Sequence, residues 1–189
     1  MSAVFLPSRT RISVERFQRM IERGVLTKDD RVELIQGEMI DMPPIGSRHA
    51  FSLTELGMRL TRAVPEGLRV AIQCPLVLSE DSQPEPDLML LREKVGNYAE
   101  ALPSPEDVLL LVEVSDTSLD YDRVTKLPLY AQHGIAEVWI VNLREQRIEV
   151  HQQPGTQGYA SRRVCKPGER VAPSGAPAAV LNVADLFPR

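Results

Sequence analysis

Cysteine is scarce in this chain: Cys74 and Cys165 stand alone, with no Cys-x-x-Cys or metal-ligand spacing. That excludes a cysteine-rich zinc module or a disulfide framework, and it points to core or surface thiols in a reducing compartment. Aromatic residues make up only 5%, too few for the repeated stacking platforms of a dedicated single-strand binder. No apolar run reaches the roughly 18 residues of a membrane span, so no membrane association is expected. The opening residues lack the basic stretch and apolar run of a secretory signal, and a cytoplasmic protein is the expectation. There is no G-x-S-x-G elbow, P-loop or dinucleotide fingerprint, which argues against a serine hydrolase and a nucleotide-cradling loop. An excess of positive charge is missing too. The formal net charge is -4, so any binding to a polyanion must rest on a local patch.

What is present is the balance of a globular protein. The 189 residues are 43% hydrophobic and 25% charged, which suits one domain spanning 1–189 with a substantial core. Charge is unevenly placed. Between Glu80 and Asp122 the only bases are Arg92 and Lys94, among twelve acids. The flanks are basic, with Arg9, Arg11, Arg16, Arg19 and Arg23 before this stretch and Arg162, Arg163, Lys166 and Arg170 after it. An acidic middle with basic flanks suits a metal site beside a phosphate track, and it equally suits a solvated surface.

The periodicities predict helix, hairpin, helix, several strands, helix, then strands. Ser13 caps a helix to about Arg23 with a Val14, Phe17, Met20, Ile21 stripe. Alternation around Gln36-Gly37 reads as a tight hairpin. A second helix runs from Ser47 to about Val64, burying Phe51, Leu53, Leu56, Leu60 and Val64. Short strands are expected at 68–73, 76–78 and 88–91. Val108-Leu-Leu-Leu-Val-Glu-Val is the strongest strand, its nearly continuous apolar character marking a central position. A helix over about 120–132 carries Val124, Leu127 and Tyr130 and is shortened or kinked at Pro128. Strands follow at 137–142, 147–152 and 159–164, and Val183 to Phe187 reads as a helical turn or an edge strand. The strand–helix–strand stretch from Val108 to Asn142 should form a right-handed crossover. The fold class is therefore mixed α/β, with a curved mixed sheet flanked by helices.

One residue in the strongest strand does not fit a plain core. Glu113 shares a face with Leu109 and Leu111 by strict alternation. An unpaired carboxylate there would cost several kcal/mol or stay protonated. A divalent cation resolves this, since Mg²⁺ is bound by carboxylate oxygens. Asp87, where a proline-rich turn enters a strand, can supply the second acid. Such a pair can hold a metal against a phosphodiester, where it polarises a phosphoryl oxygen and activates a bound water. Lys126, on the following helix, could reach back over the acids to orient the water or offset charge. Glu33, between Val32 and Leu34, is a third acid for a metal-bound water or second ion. A purely structural reading is as good on spacing alone: Glu113 and Lys126 as a partly buried ion pair, Asp87 as a turn cap. His49 reads slightly better as a cap or packing residue than as a phosphate contact. His133 fits a helix C-terminus, His151 a surface strand, and Tyr130 and Trp139 the core.

The segment Leu111-Val-Glu-Val-Ser-Asp-Thr-Ser-Leu-Asp-Tyr-Asp-Arg-Val-Thr-Lys-Leu-Pro-Leu-Tyr-Ala-Gln-His-Gly-Ile-Ala-Glu-Val-Trp-Ile-Val-Asn closely resembles the Uma2-like family (DUF820). Those proteins are described as "putative restriction endonucleases" of the PD-(D/E)xK nuclease superfamily. Glu33-Leu-Ile-Gln-Gly-Glu looks like the family's first strand motif, Pro86-Asp87 like its PD element, and His49 sits where its second helix opens. The resemblance runs from about Ile12 to Phe187. It implies a restriction-endonuclease-like core and a Mg²⁺ site, with Mn²⁺ as a substitute. Asp87, Glu113 and the Val114 carbonyl would be the metal ligands. Lys126 would be the catalytic lysine, displaced from position 115, where Ser115 stands. Glu33 corresponds to the family's N-terminal acid, and Asp122, one helical turn before Lys126, is expected to pair with it. The implied activity is phosphodiester hydrolysis of nucleic acid, with DNA as partner and an endonuclease as the form. The competing reading is a non-catalytic scaffold on the same fold, a homodimer through strands near the C-terminus. A hydrolase of small phosphorylated ligands would instead show a closed pocket too narrow for a duplex.

Overall fold

The computed structural model describes residues 10–27 and 29–188. Arg9, counted in the basic flank, lies outside them. Helix α1 (Val14–Glu22) begins where the Ser13 hydroxyl accepts the Arg16 N–H at 3.3 Å, satisfying an otherwise orphaned donor. Its buried face is narrower than its apolar stripe. Val14 and Phe17 pack on Leu34, but Ile21 is 48% exposed, because this small cluster covers only the start of the helix.

Strands β1 (Val32–Ile35) and β2 (Glu38–Asp41) form the expected hairpin, paired from Val32↔Asp41 to Ile35↔Glu38. Both turn residues have positive φ, Gln36 at 50° and Gly37 at 79°, as a two-residue turn matched to strand twist requires.

Helix α2 (Ser47–Ala63) buries Leu53, Leu56, Gly57 and Leu60. Phe51 does not join them and is 40% exposed. At about 100° per residue it stands roughly 160° round the helix from Leu53.

The central sheet has the order β3 (Leu68–Ile72), β4 (Leu88–Arg92), β5 (Val108–Ser115), β6 (Glu137–Asn142), β7 (Arg147–Gly155), β8 (Gly158–Cys165). Only β5 and β6 are parallel. Their connection runs through α3 (Leu119–Tyr121), a π-helical turn (Asp122–Lys126) and α4 (Leu127–Gln132). The expected strand at 76–78 does not join the sheet. Pro75 precedes it and a turn at 79–82 closes it, so Leu76 and Leu78 donate locally to the Pro84 and Ser82 carbonyls. Strands β9 (Arg170–Val171) and β10 (Leu181–Asn182) form a small separate pair, and 183–186 is a 3-10 turn, which settles the helical alternative.

Each sheet face has its own core. Leu56, Leu60, Leu90, Leu110, Val112, Trp139 and Leu186 pack on the α2 side. Met89, Leu91, Leu111, Leu129, Tyr130 and Val138 pack on the other. Leu109 departs from strict alternation. The β4–β5 register slips between Leu90 and Leu91, so Leu109 packs with the α2-side cluster while Val108 joins Leu111. A bulge of this kind resets which residues share a face.

Candidate functional site

Glu113 is 4% exposed, beneath the α3–α4 connection. Its Oε1 accepts the Tyr130 hydroxyl at 2.6 Å and the Lys126 ammonium at 3.2 Å. Burial pushes its carboxyl up to about 8, with Asp122 and Asp87 adding to the lift against the opposing pull of Lys126 and Tyr130. Lys126 also lies 2.9 Å from Glu33 Oε2, and Glu33 is only 2% exposed. Burial alone would lower the lysine, but Glu113 and Glu33 hold it well above its ordinary range. It is a fixed positive charge.

The π turn delivers that lysine. Leu127 N–H bonds the Asp122 carbonyl five residues back, and Pro128 follows at once. In a regular α-helix the proline ring would crowd the carbonyl four residues earlier, that of Val124. Widening the turn relieves the clash and shifts the helix phase. Val124, expected on the face of Leu127 and Tyr130, is accordingly 75% exposed.

Asp87 is reached from two sides. Its Oδ2 accepts the Val114 N–H at 2.8 Å and lies 3.0 Å from His49 Nε2. In a strand the N–H and C=O of one residue face the same edge, so the Val114 carbonyl faces the Asp87 edge. The Ser115 carbonyl faces the other, where it accepts the Leu143 N–H. Continuing the register from Leu88↔Val112 sets Pro86 opposite Val114. Proline has no N–H to give, so the PD pair brings an acid to this edge without consuming the neighbouring carbonyl.

Asp122 does not make the expected ion pair with Lys126. The π turn breaks the four-residue spacing, and Asp122 Oδ2 instead accepts the Ser115 hydroxyl at 2.7 Å and that of Ser118 at 2.8 Å. Ser115, where the superfamily lysine would stand, is fully buried in this role. Burial raises the Asp122 carboxyl, against the pull of Lys126. Glu85, which spacing did not single out, also lines the cleft. Its carboxyl is raised by burial and by Glu33 and Asp87, against Arg31 and Lys126. Two buried polar atoms here lack a partner among the described residues, His49 Nδ1 and the Tyr121 hydroxyl. Burial, then Glu33, lifts that hydroxyl to about 12.

Except for Tyr130 and Ser115, these groups line one cleft of about 480 Å³, together with the 42–46 loop and Thr117–Ser118. Glu33, Asp41, Glu85, Asp87, Glu113, Asp116 and Asp122 line it against Arg31 and Lys126, leaving excess negative charge. Among the described residues, no three His, Cys, Asp or Glu side chains are grouped to hold a metal ion. Lys126 sits between Glu33 and Glu113, and Asp87 Oδ2 is engaged by His49 and Val114. Yet Asp87 Oδ1 and Glu113 Oε2 accept no hydrogen bond from the described residues. Two free carboxylate oxygens and a strand carbonyl fit Mg²⁺, which binds through one or two carboxylates and keeps several waters.

The acids and the lysine stand out in the sequence, but His49 reads there as a cap or packing residue, whereas it bonds Asp87. His49, Leu53, Leu56 and Leu60 make one helical stripe, which was the available signal. His151 was expected at the surface and is instead 6% exposed. His133 Nδ1 lies 2.9 Å from the Leu129 carbonyl, as its helix-end position suggests. Tyr130 and Trp139 are fully buried, the first with its hydroxyl on Glu113.

A mixed sheet flanked by helices, with acids brought together at the ends of two adjacent central strands, defines a nuclease-like α+β fold. The chain belongs to the Uma2 family, described as "Putative restriction endonuclease", whose model matches residues 14–184. Its fold is similar to the crystal structure of a "putative nuclease belonging to DUF820" from Anabaena variabilis ATCC 29413. The two are 19% identical with a TM-score of 0.75, over 93% of this chain and 97% of that one. No curated protein matches the chain significantly.

Proposed function

We propose that the protein hydrolyses phosphodiesters of nucleic acid as a Mg²⁺-dependent DNA endonuclease, acting as one domain, with Mn²⁺ able to substitute. The observation that carries this reading is the convergence of Asp87 and Glu113 on one acidic cleft, each with a carboxylate oxygen to spare, beside a buried lysine. Asp87, Glu113 and the Val114 carbonyl would hold the metal. Bound there, it would supply polarisation of a phosphoryl oxygen and a bound water of lowered pKa. Lys126 offers its charge to the developing negative charge on phosphate. Glu33 fixes Lys126 in place, and His49 holds the Asp87 carboxylate in orientation.

A second reading has its own support. Lys126 already neutralises Glu113 and Glu33, as in a structural buried ion pair, which suits a non-catalytic scaffold on the same fold. Plasmid cleavage with added Mn²⁺ separates the two. The nuclease reading expects the wild type to nick or cut DNA and Asp87→Asn to lose that activity with an unchanged thermal melt. A wild type inert on DNA and RNA, with no calorimetric heat of Mn²⁺ binding, establishes the scaffold.

A further inference from the structure

A second charge cluster lies on the sheet face that carries Glu113. Side chains alternate along β7, so Arg147, Glu149 and His151 share a face. The register Glu113↔Ile140 and Ile140↔Glu149 makes it the face of Glu113, two strands away. Arg162 on β8 stands opposite His151, and the π turn sends Arg123 over from the helical connection. Glu149 is 1% exposed at the centre. It accepts from Arg147 Nε at 3.3 Å, Arg123 Nε at 3.3 Å and, more closely, Arg123 Nη2, with Asn142 Nδ2 at 3.4 Å, and it forms an ion pair with Arg162 Nη2 at 2.9 Å.

This is more cation than one carboxylate uses. Each guanidinium carries five donors, and Arg162 contributes a single nitrogen to Glu149 while remaining 49% exposed. Glu145 pairs with Arg147, and Asp120 acts on Arg123, but both acids sit in solvent at the rim, where their effect is screened. The histidine gives an independent sign. His151 is 6% exposed, and its Nε2 is buried without a hydrogen-bond partner. It faces Glu149 Oε2 at 3.8 Å, an ion-pair separation longer than a hydrogen bond. These side chains line a pocket of about 380 Å³.

We propose that the Arg123, Arg147, Arg162 and His151 pocket is an anion site that grips a backbone phosphate of the nucleic acid. The choice of ligand rests on the nucleic-acid reading above; the site itself does not. Two strand spacings put it roughly 10 Å from Glu113, about three nucleotide rises along a strand. The forked guanidiniums suit phosphate oxygens. Because the contact is to backbone, it sets position and affinity and carries no sequence preference.

The test is binding of a fluorescein-labelled duplex to the full chain in EDTA, so that cleavage plays no part, across a salt series. Arg162→Ala should flatten the slope of log Kd against log salt by about one, weakening binding equally for unrelated sequences. Arg162→Lys, which keeps the charge, should retain the wild-type slope, and Arg69→Ala on distant β3 should match wild type. Inorganic phosphate should shift the His151 ring resonances saturably in wild-type protein, a readout that stands even if Arg162→Ala folds poorly. A wild-type slope in a folded Arg162→Ala protein, no duplex binding by wild type, or His151 resonances indifferent to phosphate would each overturn the proposal. If Mn²⁺ cleavage is absent while the slope still changes, the hydrolysis reading falls and this site stands.

Discussion

Glu113→Gln should change how stability depends on pH, in a direction that the site fixes. The folded-state carboxyl sits at about 8, against 4.5 for the same group without the site around it. The folded protein thus holds this proton more tightly than the unfolded chain does. The associated stability is fully present below about 4.5, declines as pH rises, and is gone above about 8. Within that window each pH unit removes about 1.4 kcal/mol, so wild type should lose roughly 3 kcal/mol between about pH 5 and 7. Glutamine has no titrating carboxyl, yet it keeps an acceptor for Tyr130 and Lys126. Lys126 retains Glu33 in both proteins, and groups remote from the site titrate alike in both. Urea denaturation of the two proteins at several pH values from about 5 to 8 reads the effect directly. A wild-type minus variant difference that stays flat across this range would refute the reasoning.

Four further substitutions probe the same architecture. Lys126→Met leaves the buried Glu33 carboxylate without its counter-charge and should cost about 3–5 kcal/mol in urea unfolding near neutral pH, with part recovered in the double variant that also carries Glu33→Gln. Tyr130→Phe deletes the 2.6 Å donor to Glu113 and should destabilise by about 1–2 kcal/mol at alkaline pH, less in acid where Glu113 is protonated. Gly37→Ala combines a φ of 79° with a Cβ that would sit 2.6 Å from Arg11 Cβ, and its thermal melt should show a loss of about 1–3 kcal/mol. Gly46→Ala, with open space around it, should melt like wild type.

Much of the frame was legible because it rests on local signals. The hairpin follows from Gln36-Gly37, β5 from its unbroken apolar run, and Glu113 from being the one charge inside that run. What escaped depends on distant neighbours. The burial of His151 is set by Tyr159 on the next strand and by the Glu149 network. Leu109 turns to the other face because the pairing with β4 slips. Asp122 prefers Ser115 and Ser118 because Pro128 forces a π turn that breaks the spacing assumed for Lys126. The pairing of Lys126 with Glu33 joins residues 93 positions apart in the numbering of this chain, and no local pattern announces it.

The central claim is that the acidic cleft is built for a divalent cation. A crystal of the full chain grown with Mn²⁺ and measured for its anomalous signal tests it most directly. The account predicts one peak in contact with Asp87 Oδ1, Glu113 Oε2 and the Val114 carbonyl, with Lys126 still held by Glu33. A cleft without that peak at saturating Mn²⁺, with Glu113 satisfied by Lys126 and Tyr130 alone, would contradict it.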